Sequence, residues 1–158
     1  MKKISLECLE DRSVPASFAT GGGTLAVTGT DGNDDIHLAV VAGQLELRDN
    51  GVLIGAFDAS QIDTVLVVGG EGDDLLVADN SVAALVYLYG NQGNDYLQGG
   101  GGFNVLDGGS EDDTFVGGNG TNFMRGYEGH DMFQGGAGAD YVMDDEVQTG
   151  FDWFLLGL

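Results

Sequence analysis

The stretch Gly90–Met143 reads GNQGNDYLQ GGGGFNVLD GGSEDDTFV GGNGTNFMR GYEGHDMFQ GGAGADYVM, six nine-residue units that each open on a glycine. The sixth position of each unit holds an oxygen-bearing side chain: Asp95, Asn104, Asp113, Asn122, Asp131 and Asp140. The eighth holds a large apolar one: Leu97, Leu106, Phe115, Met124, Phe133 and Val142. Glycine permits tight turning, and one apolar residue at a fixed phase needs a core that a single unit cannot build. Each unit is then a glycine loop followed by a short strand, and successive units stack to share that core. The spacing predicts an all-β fold: a parallel β-roll (β-solenoid) of nine-residue glycine/aspartate repeats.

These units resemble the hemolysin-type (RTX) calcium-binding repeat, whose pattern is G-G-x-G-x-D-x-U-x with U large and apolar. The resemblance covers 54 continuous residues, with two isolated units upstream: Gly69–Val77 (GGEGDDLLV, carrying Asp74) and Gly29–His37 (GTDGNDDIH, carrying Asp34). It implies Ca2+ as the bound ion, with Asp74, Asp95, Asn104, Asp113, Asn122, Asp131 and Asp140 as the metal ligands. It also implies that two units make one turn, so that loops alternate between two edges. Asp95, Asp113 and Asp131 then stack on one edge, and Asn104, Asn122 and Asp140 on the other. Carboxylates one strand spacing apart, about 4.8 Å, repel by roughly 1–3 kcal/mol, and a divalent ion between them reverses the sign. Tighter sites are expected on the Asp95/Asp113/Asp131 edge. The other reading of Asn104 and Asn122, as good turn formers, also predicts weak binding there.

Three units depart from the pattern. Glu111 replaces the fourth-position glycine of the third unit, Tyr127 stands second in the fifth, and Phe103 stands fifth in the second. A β-carbon resists the positive φ that glycine tolerates, so the Glu111 loop is expected to be strained or differently shaped, with an extra acid available as a ligand.

Composition agrees independently. The 158 residues include 29 glycines and one proline, and carry a net charge of −21. Of the 26 acidic residues 23 lie beyond residue 12, against only two cations there, Arg48 and Arg125. Internal ion pairs cannot neutralise such a chain, and nucleic acid or an anionic membrane surface is disfavoured as a partner. The acids are phased with glycines and apolar residues instead of running in blocks, which argues against a solvated acidic tail. Carboxylates, amides and loop carbonyls are hard oxygen donors and suit calcium, which accepts 6–8 of them. Zinc would want His and Cys, and only His37, His130 and Cys8 are present, without ligand spacing. No EF-hand pattern occurs.

No enzyme is expected. The chain lacks an H-E-x-x-H motif, a G-x-S-x-G elbow, and any visible nucleophile–base pair.

Outside the array, residues 1–20 read as a disordered leader without the apolar core of an ordinary signal peptide, and Cys8 as an unpaired thiol within it. Its segment LECLEDRSVPA (6–16) resembles a short leader on some large bacterial surface proteins that carry such repeats. Residues 21–68 read as an N-terminal β capping region with one isolated repeat. Leu45 and Leu47, then Asn50-Gly51, then Val52 and Ile54 predict a hairpin, and Thr24–Val27, Ile36–Val41 and Thr64–Val68 further strands. Residues 69–143 form the calcium-binding roll, with Ser81–Tyr89 as an imperfect coil. Residues 144–158, with Phe151, Trp153, Phe154, Leu155 and Leu156, read as a C-terminal cap or export segment. Val105, Phe123 and Tyr141 share the seventh position on one side and should point outward, an apolar line suited to a protein or surface partner. No stretch is apolar enough to span a membrane.

Together these expectations describe a secreted or cell-surface bacterial module whose folding is driven by extracellular calcium. The alternative is an adhesion or spacer domain in which calcium only rigidifies the solenoid.

Overall fold

The computed structural model describes residues 16–143. The expectations for residues 1–15, including Cys8, and for 144–158 lie outside the described residues.

Two seven-stranded sheets supply the inner faces of one core. The first runs in the order β1 (Ser17–Gly21), β2 (Thr24–Thr28), β6 (Thr64–Glu71), β8 (Leu85–Gln92), β10 (Phe103–Ser110), β12 (Thr121–Glu128) and β14 (Asp140–Met143). The second runs β13 (Met132–Gln134), β11 (Thr114–Val116), β9 (Tyr96–Gln98), β7 (Leu75–Ala78), β3 (Asp35–Val41), β4 (Gln44–Asp49) and β5 (Val52–Asp58). The chain alternates between sheets, and strands of one sheet pair in parallel from β2 to β14 and from β3 to β13. This is a β-roll of the expected kind. Val105 pairs with Tyr87 and Phe123, and Phe123 with Tyr141, so each turn of the array spans two nine-residue units.

The period puts alternate residues inside. One inner column runs Val27, Val67, Leu88, Leu106 and Met124, the facing one Ile36, Leu76, Leu97 and Phe115, and all are buried. Phe115 stacks on Phe133 with ring centroids 4.8 Å apart. A third column changes character along the roll. Leu25, Val65 and Val86 give way in register to the buried Asn104 and Asn122 and then to Asp140.

The roll starts earlier than residue 69. β2 and β3 form a first coil whose loop is the isolated unit at Gly29, and β2 pairs in parallel with β6. Between β3 and β6 the chain inserts β4, β5 and a 3-10 turn at Ala59–Gln61. The Asn50–Gly51 hairpin joins β4 to β5 as predicted, with both turn residues at positive φ. The leader boundary at residue 20 is also corrected. Ser17–Gly21 is a strand, because Gly22 and Gly23 (φ 57° and 78°) form a two-residue hairpin turn that folds it onto β2. The N-terminal end of the roll is thus covered by antiparallel strands, β1 on one sheet and β4–β5 on the other, which protects the parallel edges from pairing with other chains.

Ser81–Tyr89 belongs to a coil enlarged by a glycine-free turn. Asp79 makes that turn, its carboxylate accepting the Ser81 N–H and its carbonyl the Val82 N–H. Val82 is then buried, and β8 follows.

Candidate metal-binding edges

Each glycine loop brings its sixth residue to the sheet boundary, where the side chain turns inward beneath the loop. Along one edge the structure brings together Asp34, Asp74, Asp95, Asp113 and Asp131. The Asp34 N–H donates to Oδ1 of Asp74, Asp74 to Asp95, Asp95 to Asp113, and Asp113 to Asp131, at 2.8, 2.8, 2.8 and 2.9 Å. One carboxylate oxygen of each of Asp74, Asp95, Asp113 and Asp131 is used in this way, while Asp34 at the start of the ladder accepts from Thr30 of its own loop. The other, Oδ2 of Asp74, Asp95 and Asp113, is buried with no hydrogen-bond donor. A buried, unsatisfied carboxylate oxygen is costly, and the electrostatics record it. Burial pushes Asp74 up to about 6 and both Asp95 and Asp113 up to about 7, against the opposing pull of the N–H each accepts.

The loop-opening glycines show what surrounds those oxygens. A β-carbon on Gly69 or Gly90 would collide with Oδ2 of Asp74 or Asp95, and would lie 3.0 or 2.8 Å from the carbonyl oxygen of Gly90 or Gly108 in the next coil. Further carbonyls, of Thr30, Asn91 and Glu111, face the following loop closely enough to bar a side chain at Gly70, Gly109 and Gly129. The gaps between loops are therefore lined by carboxylate and carbonyl oxygen. Among the described residues no three His, Cys, Asp or Glu side chains come together as a compact cluster. A cation in such a gap would find one or two carboxylates and would have to complete its shell from backbone carbonyls. That donor set fits calcium, which accepts many neutral oxygens in flexible geometry, and does not fit zinc.

The second edge carries Asn104, Asn122 and Asp140 and is satisfied without an ion. Nδ2 of Asn104 donates to Oδ1 of Asn122 (2.8 Å), and Nδ2 of Asn122 to Oδ1 of Asp140 (2.7 Å). The same amides bond their own loops, Asn104 to Gly100 O and Gly102 O at 3.2 and 3.1 Å, and Asn122 to Gly120 O at 3.1 Å. Their carbonyl oxygens accept from Gly100 and Gly118 N–H. Amide donors fill the places where the first edge leaves oxygens bare.

Asp34 was absent from the ligand set expected from the sequence, although its unit has a glycine in the first and fourth places and aspartate in the sixth. The hairpin insertion moved that unit far from the array in sequence. Val105, Phe123 and Tyr141 stand in register on the outer face of the first sheet. Phe123 lies between Phe103 and Tyr141, with ring centroids 5.2 and 4.6 Å away.

A parallel roll with glycine loops and stacked, oxygen-lined gaps defines a calcium-binding repeat module. The family model of the RTX calcium-binding nonapeptide repeat matches residues 89–124 and 116–143 in 4 copies. The family repeat is a structural calcium-binding element. Neither a curated protein nor a solved structure matches the chain.

Proposed function

We propose that this chain is a secreted bacterial β-roll module whose winding is driven by extracellular calcium, acting as a structural or binding element and not as an enzyme. The observation that carries the reading is the row of buried Oδ2 atoms of Asp74, Asp95 and Asp113, which have no donor. In a calcium-poor cytosol their mutual repulsion, together with glycine entropy, opposes winding and keeps the array fit for export. Outside the cell, calcium binds the wound form alone and stabilises it by mass action. Asp74, Asp95, Asp113 and Asp131 would hold the tighter ions, and Asn104, Asn122 and Asp140 weaker ones. In this reading residues 69–143 are the ion-binding part, and the strands before them close one end.

Far-UV circular dichroism of the full chain, titrated with calcium, reversed with chelator and controlled with magnesium, tests this. A cooperative gain of β signal at roughly 0.1–1 mM calcium supports it. A β spectrum present without calcium and unmoved by it overturns calcium-driven folding. Asp113→Ala should raise the calcium midpoint more than Asn122→Ala, and equal effects would sink the two-edge account.

A second reading, adhesion or spacing with calcium only rigidifying the roll, rests on the outer aromatic column, where Phe103 and Tyr141 are exposed. Removing the Val105, Phe123 and Tyr141 side chains would then abolish binding to a surface partner and leave the response of the roll to calcium unchanged.

A further inference from the structure

Glu111 stands where the pattern asks for glycine, and the reason is visible between two loops. On the aspartate edge the fourth-position residues Gly72, Gly93, Glu111 and Gly129 adopt positive φ, at 106°, 120°, 74° and 132°. L side chains rarely adopt that conformation, so Glu111 holds the loop against its own backbone preference. A β-carbon at Gly93 would strike the carbonyl of Gly72, and one at Gly129 that of Glu111, so this position faces the preceding loop. The Glu111 side chain uses that direction. Its Oε2 accepts the Gly93 N–H of the preceding loop at 2.7 Å and the Ser110 hydroxyl at 2.8 Å. The Ser110 hydroxyl also reaches the Asn91 carbonyl at 3.2 Å.

Neighbouring steps lack this bond. Between the loops of Asp74 and Asp95, side chains contribute the Asp74 N–H to Asp95 bond and the bonds from Asn94 to Asp73. Between those of Asp113 and Asp131 they contribute Asp113 N–H to Asp131 and His130 N–H to Asp112. The Asp95–Asp113 step has both equivalents, Asp95 N–H to Asp113 and Asp112 N–H to Asn94, and the Glu111 bond besides. Among the described residues it is the one step at which a side chain bonds the fourth-position N–H of the neighbouring loop.

We infer that Glu111 is a positioning residue, a clasp that sets the spacing of loops 90–95 and 108–113 without an ion and so readies the Asp95–Asp113 gap for its cation. The clasp stands on geometry alone. Its effect on the cation rests on the calcium reading above.

Restoring the pattern with Glu111→Gly separates this from a merely tolerated substitution. If the side chain does nothing, glycine relieves the backbone and the calcium midpoint falls. If it is a clasp, the midpoint rises about threefold and the Gly93 amide, followed by NMR hydrogen exchange in the full chain, exchanges about tenfold faster. Glu111→Gln keeps an acceptor oxygen at the same reach without the charge, and should stay within about twofold of wild type in both readouts. An unchanged Gly93 exchange rate in Glu111→Gly overturns the clasp. So does Glu111→Gln behaving like Glu111→Gly, which would assign the effect to charge alone. If the chain proves insensitive to calcium, the Gly93 comparison still decides the clasp while the calcium reading fails by itself.

Discussion

Asp113→Asn should change the sign of its effect with the ion present. In the wild type Oδ1 of Asp113 accepts the Asp95 N–H, while Oδ2 is buried without a donor and the carboxyl is pushed from 3.8 up to about 7. At pH 8 the metal-free roll therefore carries an ionised group where burial opposes ionisation. A shift of that size corresponds to about 2–4 kcal/mol once relaxation and water entry reduce its face value. Asparagine keeps Oδ1 for the ladder and removes the charge. The molecule already contains the outcome on its other edge, where the amides of Asn104 and Asn122 bond the carbonyls of their own loops. Without calcium, Asp113→Asn should accordingly stabilise the roll by about 2 kcal/mol, read as a higher denaturant midpoint. Where the wild type is unwound in chelator, the gain appears as β signal. With millimolar calcium the variant would lack the anionic ligand that the proposed function assigns to Asp113 and should need about tenfold more ion for half-saturation. The assay is urea denaturation followed by circular dichroism, in chelator and in calcium, with wild type alongside. A variant weaker than wild type in chelator would refute the reasoning, because Asp113 would then act as an ordinary hydrogen-bonding residue and not as a carboxylate ionised against its burial.

Two further outcomes follow from the same edge. Because the folded pKa values of Asp74, Asp95 and Asp113 lie above the unfolded value, at about 6, 7 and 7, the metal-free roll binds more protons than the unfolded chain. Its stability should be greatest below about pH 4 with respect to these groups and be lost as pH rises through about 6 to 7; denaturant midpoints in chelator at pH 5 and pH 8 measure this, and a higher midpoint at pH 8 contradicts it. Gly90→Ala places a methyl group against Oδ2 of Asp95 and 2.8 Å from the Gly108 carbonyl. It should cost about 1–3 kcal/mol and lower calcium stoichiometry by calorimetry, whereas Gly21→Ala, with nothing within 4 Å of the new methyl group, should be neutral in both.

Much of this architecture was legible because the nine-residue phase is strict from Gly90 to Met143: the phase assigns the inner column and the loops, and the resemblance to the calcium-binding repeat supplied the alternation of edges. Three features were not. The first coil escaped because β4 and β5 are inserted between its strands and β6, so Thr24 pairs with Thr64 and no short period connects them. β1 escaped because residues 1–20 were read as a leader, when Gly22 and Gly23 make a hairpin turn that folds Ser17–Gly21 onto β2. The contrast between edges was visible as Asp against Asn, but its physical content was not. Whether an oxygen is left without a donor depends on which loop carbonyls and N–H groups come within reach, and spacing carries no information about that. Asp34 shows the same limit, since only the pairing of β3 with β7 brings it into the ladder.

The side-chain ladders also have a direction. On the aspartate edge every loop offers its N–H to the carboxylate of the coil that follows it in the chain, and on the asparagine edge each Nδ2 reaches for the oxygen of the next residue along. The inner ladders thus fasten the roll one way, like overlapping roof tiles, each course pinned by the one laid after it, while the exposed N–H groups of Asp73, Asn94, Asp112 and His130 reach back to the preceding loop. Removing coils from the N-terminal side exposes acceptor oxygens, which water satisfies readily. Removing them from the C-terminal side strips the pin from the course beneath, so loosening should travel back toward the N-terminus. Two truncations of equal length are therefore unequal injuries to this molecule.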